Sequence, residues 1–191
     1  MPILLGLEDN GLSINEIFCA SNVNDVLTRF ISTGKLEPKE TIPSVAPSMD
    51  IQIPSSLERL IYNFEGDASS FYDQLQNEKI AKLSEESVVK LQNIFSSLSF
   101  NDEMILKEID LFYKNYGWVI DPHTATALSS SVSFSSTLPV VGVATASPEK
   151  FSDVISKTID EFRVESTKNE EKYFVQKANS SLVENTIKEC L

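Results

Sequence analysis

Short apolar runs alternate along this chain with longer stretches in which apolar residues return every three or four positions. The first kind reads as buried strands and the second as amphipathic helices. Ile17, Phe18 and Cys19 form the first strand signal, which ends at Ser21 and Asn22. Asn24 or Asn22 can cap the helix that follows, with Val26, Leu27, Phe30 and Ile31 on one face and Gly34 as its stop. Prolines at 38, 43, 47 and 54 keep residues 35 to 54 from forming a continuous helix and predict an ordered loop. Helical spacing returns over residues 55 to 64 with Leu57, Leu60, Ile61 and Phe64, and over 68 to 80 with Phe71, Leu75 and Ile80. It continues over 84 to 98 with Val88, Leu91, Ile94, Phe95 and Leu98. A fourth helix starts at Ser99 or Asn101 and stops at Gly117, with Ile105, Ile109, Phe112 and Tyr116 along one face. This helical block reads as cover and scaffold.

Two later segments repeat one arrangement: Trp118-Val-Ile-Asp-Pro-His-Thr-Ala125 and Val140-Val-Gly-Val-Ala-Thr-Ala-Ser-Pro-Glu-Lys-Phe151. In each, an apolar strand run is followed by a polar cap (Asp121, Ser147) and by proline at the first helical position (Pro122, Pro148). With the junction at residues 17 to 25 they make three βα units. Side by side in a parallel sheet, such junctions gather at the carboxyl ends of the strands, where open α/β sheets bind ligands. His123, Thr145 and the polar cluster Ser21, Asn22, Asn24 and Asp25 are therefore expected on one edge. The serine-rich stretch from residue 129 to 136 reads as an exposed connection. A helix from Pro148 to about Phe162, a charged turn at residues 165 to 172 and a short strand at residues 173 to 175 follow. The last helix has capping-box spacing from Ser181 to Glu184, with Leu182, Val183, Ile187 and Leu191 on its apolar side.

The length of 191 residues with 41% apolar content suits one domain with a real core. The 28 acidic against 16 basic residues give a net charge of −12, which sets aside nucleic acid and anionic membrane surfaces as partners. The opening apolar stretch has no basic leader, and Glu8 and Asp9 end it too early for a signal peptide. Cys19 and Cys190 make neither a disulfide framework nor a metal-ligand spacing, which predicts a reducing, cytoplasmic setting.

His123 is the single histidine and stands in the first turn of a helix, whose positive end keeps the ring neutral. It either hydrogen-bonds a substrate or cofactor group or packs at the junction and orders the loop. Thr145 follows Val141-Gly-Val-Ala, where small residues let a flat group approach. Asn22, Asn24 and Asp25 either cap a helix or hold a ligand. The carboxylates at 169 to 171, Glu85 with Glu86 and Asp102 with Glu103 read as solvated turns and helix starts. The sequence has no metal-ligand cluster, nucleophile elbow, phosphate loop or dinucleotide fingerprint, and one histidine offers one triad base, which disfavours hydrolase chemistry.

The two junctions resemble the DPHTA-like and TAHPAKF-like elements of threonine synthases. Asn22-Val-Asn-Asp-Val-Leu-Thr-Arg-Phe30, Ser48-Met-Asp-Ile51 and Leu57-Glu-Arg-Leu60 precede them in the family's order. The resemblance covers about residues 11 to 160. It implies an α/β fold, a partial parallel sheet with flanking helices, forming the carboxyl-terminal part of a tryptophan-synthase-β-like (fold type II) pyridoxal-phosphate enzyme. It divides the chain into a poorly matching extension at 1 to 10, the family portion at 11 to 162 and a terminal strand and helix at 163 to 191. The family's Schiff-base lysine and glycine-rich phosphate loop would precede residue 11, so this chain is expected to carry no catalytic residue of its own. The resemblance places Thr145 against the pyridine nitrogen of pyridoxal phosphate. On the substrate side it places His123, Asn22, Asn24, Asp25, Ser48, Asp50 and Arg59. Two departures stand out: Ser147 takes the place of a histidine, and Ser56-Leu57 replaces Asn-Phe before the Glu-Arg-Leu triplet. The full family enzyme converts O-phosphohomoserine, a small phospho-amino acid, to threonine; threonine synthase-like relatives eliminate phosphate from related phospho-hydroxyamino acids. The alternative expectation is a non-catalytic, truncated product with a binding or signalling role. Unpaired sheet edges predict self-association of the isolated chain.

Overall fold

The computed structural model describes residues 14–131 and 139–163, together with Ser181, Leu182 and Lys188. Strand β1 (Ile17–Ser21) leads into helix α1 (Val26–Thr33), which Gly34 closes at φ 69°, its N–H bonding the Phe30 carbonyl. A two-residue strand β2 (Lys35–Leu36) opens the proline-bearing loop, which holds a 3-10 turn at Pro47–Met49 and is otherwise irregular, as the prolines require. Helices α2 (Leu57–Glu65) and α3 (Ser69–Glu78) follow, then strand β3 (Ala81–Lys82), which pairs antiparallel with β2.

Helix α4 (Glu85–Ile94) departs from expectation at its end. The apolar spacing predicted helix to residue 98, but the chain turns at Phe95 into strand β4 (Phe95–Ser99), parallel to β1 with Ile17 opposite Phe95. The run Phe-Ser-Ser-Leu-Ser has weak helix propensity, and in the ladder its backbone groups pair while Phe95 is buried beside Ile17. Asn101 then caps helix α5 (Asp102–Tyr116) by accepting the Met104 N–H at 2.9 Å, and Gly117 ends it at φ 70°. Helix α6 (Pro122–Ser131) begins at the expected proline and carries part of the serine-rich stretch into a helix.

The strand halves of the two later junctions are corrections. Residues 118 to 120 and 140 to 145 form no strand; Trp118 is 74% exposed and Val141 83%. An apolar run becomes a strand when a neighbouring strand takes its backbone groups, and no described strand lies beside either run. The helix expected from Pro148 to Phe162 resolves into a 3-10 turn (Pro148–Phe151), a single turn α7 (Ser152–Ile155) and further turns. Ser147 makes no side-chain cap bond there. The expected strand at 173 to 175, the leading residues 1 to 10 and most of the last helix lie outside the described residues.

The parallel pair β1–β4 stands between two apolar clusters. One gathers Phe30, Leu36, Leu57, Ile61, Leu91 and Phe95. The other gathers Ile105, Ile109, Ile120, Ala125 and Ile155, with Ala20 of β1 packed on it. Each large side chain so buried contributes about 1.5–3 kcal/mol relative to exposure. Among the described residues, no helix is long and apolar enough to cross a membrane.

Candidate functional site

The carboxyl end of β1 is where the chain spends its buried polar groups. Asn22 is fully buried and Asn24 nearly so, and neither caps α1; the cap position falls to Asp25, which makes no side-chain cap bond. Asn22 Oδ1 instead accepts the Asn24 N–H at 2.9 Å, closing a local turn. Its amide donates to Asp50 Oδ1 and Ser44 Oγ, both at 2.6 Å, and to the Ala46 carbonyl at 3.3 Å. Asn24 behaves like a piece of strand: its amide donates to the Ile42 carbonyl at 2.8 Å while its Oδ1 accepts the Ile42 N–H at 2.9 Å. Its amide also reaches Asp50 Oδ1 at 3.0 Å, and Gln52 donates to its Oδ1 at 3.2 Å.

Asp50 is the hub of this knot. Its Oδ1 accepts from Asn22, Asn24 and the Ser44 hydroxyl (2.7 Å), and its Oδ2 accepts the Ser44 N–H at 3.0 Å. Each carboxylate oxygen offers about two acceptor sites, so three donors share Oδ1 and one takes Oδ2. The loop from residue 42 to 52 is thereby strapped across the end of β1. Asp102, at the start of α5, holds it from another side by accepting the Val45 N–H at 3.2 Å.

His123 reaches the same loop from α6. The Asp121 carboxylate accepts the His123 N–H at 2.9 Å and lies 2.8 Å from ring Nδ1; its second oxygen accepts the Thr124 N–H at 3.3 Å and the Thr124 hydroxyl. On the other side of the ring, Nε2 accepts the Ser48 N–H at 3.1 Å, and the Phe151 ring packs with its centroid 4.6 Å away. Burial raises the pKa of Asp121, yet the hydrogen bonds from His123 and Thr124 outweigh it and hold the carboxyl below the ordinary aspartate value.

The structure thus brings Asn22, Asn24, Ser48, Asp50 and His123 together. Asp25 lies beside them but pairs with Arg29 at 2.9 Å. Ser48 is exposed at its side chain while its backbone is held by His123. Arg59 is exposed on α2, and Thr145 is exposed on the unpaired segment. Gly142, three residues before Thr145, is explained within the chain, because a Cβ there would stand 3.0 Å from the Leu128 side chain. Ser44, Gln52 and Asp121's second duty, orienting His123, were not read from sequence. The signal for the last was present: an aspartate two residues before a histidine at a helix start can bond both its N–H and its ring.

No family model matches the chain. It is 32% identical over 153 residues to threonine synthase from Pseudomonas aeruginosa, a match that covers 77% of this chain and 33% of that protein. It is 30% identical over 178 residues to threonine synthase-like 1 of Homo sapiens, covering 89% of this chain and 24% of that protein. Among solved structures, the pyridoxal-phosphate-bound threonine synthase from Brucella melitensis superposes with a TM-score of 0.79 at 26% identity, over 98% of this chain and 43% of that one. The yeast threonine synthase shares the fold, with a TM-score of 0.76 at 23% identity. The chain spans less than half the length of each of these relatives. Sequence likeness across most of its length and structural likeness across nearly all of it agree: the chain belongs to the threonine synthase family.

Proposed function

We propose that this chain builds one wall of a pyridoxal-phosphate pocket in an enzyme of the threonine synthase type, acting in the cytoplasm. The observation that supports this reading best is the likeness, over 98% of the chain, to a threonine synthase with that cofactor bound. The residues present fit one edge of the cofactor. Thr145 is exposed, its hydroxyl has no hydrogen bond among the described residues, and a hydroxyl can donate to an unprotonated ring nitrogen. When bound, pyridoxal phosphate supplies an electron sink for charge developing on the substrate carbon.

Around it, the chain's own residues orient and enclose. Asn22, Asn24 and Asp50 hold the strapped loop as a fixed wall, with Asp25 anchoring the turn beneath through Arg29. Ser48 presents its hydroxyl toward substrate, with His123 behind it, and Arg59 pairs with the substrate's phosphate. The substrate is O-phosphohomoserine: the carbon–oxygen bond to phosphate breaks, inorganic phosphate leaves and water adds to give threonine. The related alternative, elimination of phosphate from another phospho-hydroxyamino acid, releases phosphate and then, with water taken up, ammonia, leaving a keto acid, so the product identifies the substrate class.

The test is Thr145→Val in the native polypeptide that carries this sequence. Losing one hydrogen bond to the cofactor is expected to weaken pyridoxal-phosphate affinity by about tenfold, with phosphate release falling in parallel. Unchanged affinity and turnover would remove Thr145 from the cofactor. A native polypeptide that folds but neither binds pyridoxal phosphate nor releases phosphate would favour a non-catalytic binding role.

A further inference from the structure

We infer that His123 is a positioning residue: it touches neither substrate nor cofactor but locks the Ser48 turn in place, in one tautomer, under the control of Asp121. The inference rests on the proposed pocket for its functional meaning and on hydrogen-bond logic for its substance. The Ser48 backbone N–H can only donate, and it points at Nε2 from 3.1 Å, so Nε2 carries no proton. The neutral ring then has its proton on Nδ1, directed at Asp121 Oδ1 at 2.8 Å. Asp121 cannot turn away, because its oxygens are also held by the His123 and Thr124 N–H groups and the Thr124 hydroxyl at the start of α6. The His123 side chain is 4% exposed, and the Phe151 ring packs against its ring. Both polar atoms are used, so the ring has none left for a ligand.

What the lock controls is the chain that carries Ser48 and Asp50. Two residues past Ser48, Asp50 enters the knot with Asn22, Asn24 and Ser44, so the turn at Pro47–Met49 is pinned at both ends. Asp121, the residue before α6, is the charged group bonded to the ring, while the carboxylates of Asp50 and Asp102 hold the loop at Ser44 and Val45. A second proton on the ring would replace the acceptor at Nε2 with a donor facing a donor. The lock therefore works as a neutral imidazole that relays the fixed orientation of a helix start onto the loop, and the exposed Ser48 hydroxyl is the group it positions.

In the native polypeptide labelled with nitrogen-15 at histidine, the His123 ring pair is identified as the one lost in His123→Asn. The expected spectrum at neutral pH is that of a protonated Nδ1 and a bare Nε2; the opposite tautomer overturns the inference. Two variants separate the ring's two ends. Glutamine can place an acceptor where Nε2 stands, whereas asparagine preserves only the Nδ1 bond to Asp121. His123→Asn is expected to speed hydrogen exchange at the Ser48 amide by about tenfold, and His123→Gln to leave it within about threefold of the parent. Equal exchange in both variants overturns the lock. In the native polypeptide, His123→Asn should raise KM for the phospho-amino acid by about tenfold with kcat nearly kept, and His123→Gln should restore KM. A fall in kcat alone would make the imidazole a catalytic residue and overturn the inference. Absence of turnover in the parent protein would remove the enzyme reading instead, and the ring spectrum and amide exchange would still decide the lock.

Discussion

Asp121 stands at the centre of the residue-scale chemistry, and its low pKa ties it to stability. A carboxyl whose folded pKa lies below its unfolded value stabilises the fold above the ordinary aspartate value of about 3.9 and loses that contribution as pH falls through the lower folded value. Asp121→Asn puts an amide against the Thr124 donors and should cost about 2 kcal/mol at pH 7. In urea unfolding the gap between variant and parent should narrow below about pH 4; a gap that stays constant would deny the carboxylate its role. Cys19 gives a second residue-scale prediction. Burial pushes its thiol up to about 11, so it should stay unreactive toward thiol reagents at neutral pH until the protein unfolds. Residue identities were legible in sequence further than residue roles were. Asn22, Asn24 and His123 stood out as polar groups at expected strand ends, while Ser48 and Asp50 were placed by the family resemblance alone. That Asp50 would take four donors at once depends on the chain folding back over 28 residues to Asn22 and 26 to Asn24, which no local spacing encodes.

At the scale of elements, the helix stops at Gly34 and Gly117 were legible because they depend on local backbone chemistry, both glycines ending helices at positive φ, whereas the ends expected at residues 98 and 162 were not met. Gly66, which closes α2 at φ 77°, is not equivalent to Gly34. A Cβ at Gly34 would lie 2.2 Å from Val88 Cγ2, whereas one at Gly66 meets nothing within 4 Å. Gly66→Ala should cost only the left-handed backbone penalty of about 1–2 kcal/mol, and Gly34→Ala clearly more. Adding Val88→Ala should recover part of the Gly34→Ala loss but none of the Gly66→Ala loss, measured as a double-mutant cycle. If both glycine variants lose the same stability, the packing of α4 on the end of α1 is not as described. The strands were the less legible elements. Phe95–Ser99 continued a helical apolar spacing and became a strand because β1 was available to pair with it, while the more strand-like Val140–Val143 run found no described neighbour. Pairing across the sequence decided both cases.

For the whole molecule, the same unpaired run has a consequence. Val140, Val141 and Val143 are 55%, 83% and 55% exposed, and Trp118 adds another open apolar surface. Extended, apolar and unpaired backbone invites further pairing, so the isolated chain should associate with itself in sedimentation analysis, and Val141→Asp should shift it toward monomer. A monomeric parent chain would contradict that expectation. Family membership was legible in sequence because short motifs in fixed order carried it, and the structural likeness to threonine synthases covers 98% of the chain. The central claim is that this chain serves a pyridoxal-phosphate enzyme acting on a phospho-amino acid. Its most direct test is to purify the native polypeptide carrying this sequence and measure pyridoxal-phosphate-dependent release of phosphate from O-phosphohomoserine. The account predicts phosphate and threonine in equal amounts; a folded native polypeptide that releases no phosphate from this or any related phospho-hydroxyamino acid would contradict it.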